Sequence, residues 1–316
     1  MTESTHSTGG AEDRTWRDEP APAPPPVETP FRRFVSEFAE DRIAVAALGV
    51  FALIVALALL APWITPQNPY DLAQVGIWDS KQPPMTEAYD GFTMWLGSDG
   101  LGRDLFSAIL YGLRISLAVG VTAGFIALVI GMAIGLVAAY AGGRVETVIM
   151  RIVDLQLSFP AVLVALMLVA LLGNSVENIV IALVVAQWAY YARTVRGSAL
   201  SEREKEYVEA ARCLGLSHER ILFRHILPNC LAPLIVVGTV QTASAIALEA
   251  TLSFLGVGLP QTEPSLGLLI SNGAEYLTSG RYWIAVFPGL ALLATIVSIN
   301  LVGDQLRDVL NPRLSK

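Results

Sequence analysis

The chain has 316 residues, of which 53% are hydrophobic and only 16% charged, with a formal net charge of −7. That composition leaves too little charge to cover a water-soluble surface, which excludes one or two ordinary soluble domains. Its two cysteines, Cys213 and Cys230, exclude a disulfide framework.

Residues 1–42, which include the run EPAPAPPPVETP, are read as a disordered Pro-rich tail, since the run has no apolar periodicity to offset the entropy of ordering. The first apolar run starts near Ile43, is too long for a signal peptide and ends without a cleavage site. Apolar runs of roughly 20 residues suit a hydrocarbon core about 30 Å thick, and helices satisfy every backbone group there. The chain is therefore expected to be an all-α, polytopic membrane protein with six spans. These lie near Ile43–Ile64, Ile115–Ala139, Phe159–Leu172, Ile179–Tyr191, Leu231–Leu255 and Trp283–Val302. The third is extended back to about Val148 and the fourth forward to about Val195, through polar residues. The glycines of GFIALVIGMAIGLVAAYAGG suit close helix packing.

Residues 43–64 form the first transmembrane helix and residues 65–114 an extracytoplasmic segment with an amphipathic helix over Asp104–Arg114. Residues 115–303 form the membrane core, which includes a cytoplasmic loop at 200–228, and residues 304–316 form a C-terminal tail. With both termini in the cytoplasm, 17 Lys and Arg lie inside and four outside, the bias expected of an inserted chain. The outer segment carries six acids against three basic residues, either a docking surface or a solvated one.

The longest inside loop contains EYVEAARCLGLSHERILFRHILPN, charged where its surroundings are apolar. It reads as a helix over Glu202–Leu214 with Tyr207, Ala211 and Leu214 on one stripe, ended by Gly215. A second helix is capped by Ser217, carries Ile221, Leu222 and Ile226, and is separated from the fifth span by Pro228. Its acids disfavour a bed of anionic headgroups and favour a cytoplasmic protein partner. The spacing of Cys213, His218, His225 and Cys230 matches no usual zinc pattern.

EAARCLGLSHERILFRHILPN resembles the EAA loop of ABC importer permeases: Glu209, Ala210 and Ala211, then Gly215, then Leu227 and Pro228. LGSDGLGRDLFSAILYGLRISLAVG, MRIVDLQLSFP and EATLSFLGVGLPQTEPSLG, with the ending NLVGDQLRDVLNPR, resemble the dipeptide, oligopeptide and nickel permeases of that class. Leu266 and Asn311 depart from the pattern, where Trp and Asp are usual. The resemblance implies a type I importer transmembrane domain in the bacterial cytoplasmic membrane, surrounded by lipid. It also implies a second homologous permease as heterodimer partner, two cytoplasmic ATPases, an extracytoplasmic binding protein and no nucleic-acid partner. In that family the loop is the coupling helix seated in an ATPase groove, and transport proceeds by alternating access. Cargo is expected to be di- or oligopeptides, with nickel or another small solute as the alternative.

No catalytic constellation is visible, and no lysine stands in a G-K-[ST] phosphate loop, so no cofactor is expected on this chain and ATP with magnesium belongs to partner subunits. Two charges are candidate pathway residues. Glu249, deep in the fifth span, either attracts a cargo ammonium or sits in a helix contact; the first reading would also allow a secondary carrier. Asp154 is expected to pair with Arg151 at i,i+3 near the inner mouth.

Overall fold

A computed structural model describes residues 29–71, 74–260 and 263–310. The chain before residue 29, including most of the Pro-rich run, lies outside them, as does Asn311. Helix α1 (Pro30–Glu40) follows at once, so the tail expected to be unstructured through residue 42 is helical from residue 30. Phe34 and Phe38 stack one turn apart on it, centroids 6.4 Å apart. Asp41 then accepts a hydrogen bond from Ile43 N at 2.8 Å and caps α2 (Arg42–Ile64).

Helix α3 (Leu105–Ala141) is 37 residues long and sits at the centre of the bundle. The amphipathic helix expected over Asp104–Arg114 is its first three turns, and these are buried at every position from Leu105 to Leu113 except Phe106. Two glycine pairs let α3 approach two partners. Gly120 and Gly124 face α9 (Leu227–Phe254), where a Cβ on Gly124 would stand 2.9 Å from Thr242 Oγ1. Gly131 and Gly135 face α6 (Val176–Arg203), where a Cβ on Gly131 would stand 2.6 Å from Tyr191 Cβ. Small residues at these crossings allow the close van der Waals packing that holds helices together in lipid.

The third expected span is not straight. Helices α4 (Gly143–Ser158) and α5 (Ala161–Leu172) meet at 89°. Pro160 is the cause: the residue before a proline is pushed out of helical geometry, and Phe159 is extended at φ −94°, ψ 139°. Helix α5 alone, at 12 residues, rises about 18 Å and cannot cross a bilayer. Among the described residues four helices are long and apolar enough to cross: α2, α3, the continuous helix over His218–Phe254, and α11 (Trp283–Leu310). The α4–α5 pair adds a fifth if it forms one span. Helix α6 has the length, 28 residues, but carries Glu177, Asn178, Gln187 and Arg193 among its apolar positions. Helix α11 continues to Leu310, so residues 304–310 of the expected C-terminal tail belong to it.

Residues 65–71 and 74–104 lie between α2 and α3 and form the cap at one end of the bundle, where Lys81 Nζ lies 4.7 Å from the centroid of the Tyr276 ring, just after α10 (Leu266–Ala274). A short hairpin pairs β1 (Thr86–Glu87) with β2 (Thr93–Met94), Thr86 opposite Met94. Three of the cap's six acids point inward. Asp79 accepts from Tyr89 N, Asp99 pairs with Arg103 at 2.7 Å with both side chains buried, and Asp104 caps α3 by accepting from Ser107 N at 2.8 Å. Half of the acidic surface expected here is thus internal architecture, which leaves Glu87 and Asp90 as its fully exposed acids. Burial pushes the Asp104 carboxyl above the ordinary carboxylate range, against the hydrogen bonds from Ser107 that lower it.

Candidate functional site

At the opposite end from the cap, α6 ends at Arg203 and α7 (Glu206–Cys213) begins after a break at Glu204 and Lys205, so the helix expected over Glu202–Leu214 is two pieces. Gly215 has φ +71°, and its N–H bonds to Arg212 O at 2.9 Å while Leu216 N bonds to Ala211 O at 3.2 Å. That is the left-handed helix stop expected of it. Ser217 stands at the N-cap position of α8 (His218–Ile221), but its side chain makes no capping bond. Pro228 does not separate the second helix from the span. The chain passes through a π-helical turn, Leu222–Ile226, directly into α9. A proline has no N–H for the preceding turn and its ring crowds the carbonyl four residues back, and the wider turn relieves both.

Burial sorts the segment into two faces. Val208, Ala211, Ile221 and Ile226 face the bundle. Glu209, Ala210, Gly215 and Pro228 are exposed and Leu227 is half-buried. The two alanines therefore have different roles, Ala211 packing inward and Ala210 outward. Of the stripe expected over Tyr207, Ala211 and Leu214 only Ala211 is buried: Tyr207 is 38% and Leu214 80% exposed, and Phe223 on the second helix is 60% exposed. Val208 is the other residue of α7 buried with Ala211.

Tyr207 ties the segment together, a role its sequence context did not reveal. Its hydroxyl donates to Glu202 Oε2 at 2.5 Å and accepts from Asn229 Nδ2 at 3.0 Å, joining the end of α6 to the start of α9. Burial, then the bond to Glu202, pushes this hydroxyl up to about 12, so it stays protonated at any ordinary pH. Burial opposes ionisation of Glu202, but the bonds from Lys205 and Tyr207 outweigh it and lower its pKa. Arg203 Nη1 donates to Ala139 O at 3.2 Å, Arg196 pairs with Glu146 of α4, and Arg193 pairs with Asp154. The expected Asp154–Arg151 pair is replaced by this one, since Arg193 on α6 faces α4 across the bundle. These three arginines, all on α6, fasten that helix to α3 and α4.

Above it, a groove of about 920 Å³ opens between α6, α9 and α11, walled by Val236 and Val240, with Gln241 and Ser244 deep within and Arg193, Asp304 and Arg307 toward the segment's end. Asp154 borders this groove only through Arg193. Glu249 is elsewhere, fully buried, its two oxygens accepting from Ser116 and Ser253 at 2.8 Å each. Among the described residues no cluster of three His, Cys, Asp or Glu is placed to hold a metal; Cys213 is exposed and Cys230 buried.

Residues 131–316 match the family described as binding-protein-dependent transport system inner membrane component, and residues 29–84 match the N-terminal TM domain of oligopeptide transport permease C. The chain is 43% identical to a putative peptide transport system permease protein of Brucella suis, over 84% of this chain and 86% of that one. It is 36% identical to a di/tripeptide transport system permease of Pseudomonas aeruginosa (93% and 97%) and 36% to a glutathione transport system permease of Escherichia coli (93% and 94%). In fold it is similar to a chain of the inward-facing MetNI methionine ABC transporter, with a TM-score of 0.54 at 19% identity over 65% of this chain and 96% of that one. The all-α bundle, the segment between α6 and α9 and these relationships lead to one conclusion: the chain belongs to the family of inner-membrane permease components of binding-protein-dependent ABC transport systems.

Proposed function

We propose that this chain is one permease subunit of an ATP-driven importer of di- and oligopeptides, with six spans, both termini in the cytoplasm and the cap outside. The bent α4–α5 pair and α6 supply the two spans beyond the four strongly apolar helices. The partners in this reading are a second permease, two ATPases that carry ATP and magnesium, and a binding protein on the cap side. The observation that carries it is the exposed face of Glu209, Ala210, Leu214 and Phe223, presented on a segment continuous with α9 and tied by Tyr207 to α6. A partner gripping that face pulls on two helices that wall the groove, so a change in ATPase spacing becomes a change in groove shape. Each step needs a contact that differs between nucleotide states, and this face supplies it. Peptide cargo is supported by the relatives' names and by a groove that combines apolar walls with amide, hydroxyl and charged groups.

In the mechanism, cargo is delivered at the cap end, crosses with the groove side of α9 and α11 toward it, and leaves beside Arg193 and Arg307. Glu249 acts as a polar clasp between α3 and α9 and touches no cargo. The test is uptake by vesicles holding the complete transporter and its loaded binding protein. ATP-dependent accumulation of labelled dipeptide is the expected result, and accumulation without ATP, or none of any peptide, would refute the reading.

A further inference from the structure

We propose that Asp304 and Arg307, side by side on α11, grip the two charged ends of a free dipeptide in the groove, so that the permease itself selects for peptides with unblocked termini. The proposal rests on the importer reading above and adds a recognition site to it.

Both residues line the groove, both are exposed, and neither has an ionic partner among the described residues. Their i,i+3 spacing would permit an ion pair, yet none forms. The only other basic residue among those lining the groove, Arg193, is committed to Asp154. Here one uncommitted anion and one uncommitted cation share a cavity.

Their spacing fits one class of ligand. Residues three apart on a helix hold their Cβ atoms about 5–6 Å apart. The ammonium and carboxylate of an extended dipeptide are separated by about two residue lengths, roughly 7 Å. The Arg307 guanidinium suits a carboxylate, which it can meet with two parallel hydrogen bonds, and the Asp304 carboxylate suits an ammonium.

The experiment uses the complete transporter in lipid vesicles and a dipeptide carrying a photoreactive side chain and free termini. Wild type should be labelled within α9 or α11, and unlabelled free dipeptide should compete at least tenfold better than the same dipeptide acetylated and amidated. Arg307→Gln and Asp304→Asn should each erase that preference, and the swapped double variant, Asp304→Arg with Arg307→Asp, should restore part of it. Equal competition by the blocked dipeptide in wild type, or an undiminished preference in both single variants, would overturn the proposal. Wild-type vesicles that import no peptide with ATP would instead overturn the importer reading, a separate outcome read in the same preparation.

Discussion

Ser116 of α3 donates a 2.8 Å hydrogen bond to Glu249 of α9, a pair joined across 133 residues of sequence and closed off from any cavity. Ser253 holds the second carboxylate oxygen from one turn along α9. A carboxylate so enclosed is a fastening between helices. Glu249→Gln should preserve uptake and cost about 1 kcal/mol of stability, the scale of hydrogen bonds between membrane helices. Glu249→Leu should cost more, because it leaves two buried hydroxyls without their acceptor. Thermal unfolding in detergent and uptake, measured on the same preparations, check this. A tenfold uptake loss in Glu249→Gln at unchanged stability would mark a cargo contact.

At Gly131, α3 packs tightly on α6: an added Cβ would stand 2.4 Å from Trp188 O and 2.6 Å from Tyr191 Cβ. Gly131→Ala should lower the unfolding midpoint, at a cost of about 1–3 kcal/mol for overpacking. Gly289, where an added Cβ would meet nothing within 4 Å, is the control, and Gly289→Ala should be near neutral.

Tyr207 gives a coupling prediction with a pH signature. Its folded value is raised, so the stability it contributes is complete below the ordinary tyrosine range near 10 and is lost as pH climbs toward about 12. Across neutral pH the hydroxyl does not titrate. Tyr207→Phe should therefore weaken cargo-stimulated ATP hydrolysis by the same factor at about pH 6 and about pH 9. A defect at only one of these would show that another group is responsible.

Asp104 makes the opposite end sensitive to acid. Its folded value is raised, so the protonated form is favoured in the fold, and its contribution is fully present below the unfolded value of 3.8 and lost as pH rises through the folded one. Asparagine caps helices as well as aspartate does and carries no charge to bury. Asp104→Asn should therefore gain on wild type in cap stability as pH rises out of the acid range. Amide exchange at Ser107 and its neighbours measures it; a variant less protected than wild type at neutral pH would contradict the account.

Much of this was legible in residue order. Gly215 announced the end of a helix by its position after a run of good helix formers, and the EAA pattern identified the exposed segment before any contact was known. What sequence hid was mostly pairing across distance. Asp154 has Arg151 within reach on its own helix, and nothing in the spacing says that Arg193, on another helix, lies nearer. The acids of SDGLGRD look like surface charge until Arg103 and the start of α3 are seen to consume them. The 89° bend was signalled by Pro160, but an apolar run through a proline reads equally as one kinked span. The π-helical entry into α9 depends on the continuity of two helices, which local propensity cannot decide around Pro228.

The central claim is that an ATPase grips the exposed face around Glu209. It is tested by isolating the transporter with wild-type chain and with Glu209→Lys, then measuring retained ATPase subunits, cargo-stimulated ATP hydrolysis and uptake. Wild type should retain P-loop ATPases and couple hydrolysis to peptide. The variant should insert normally, lose coupling and transport nothing, since it reverses the charge that the exposed face presents to its partner. Uptake at the wild-type rate by Glu209→Lys would contradict the account.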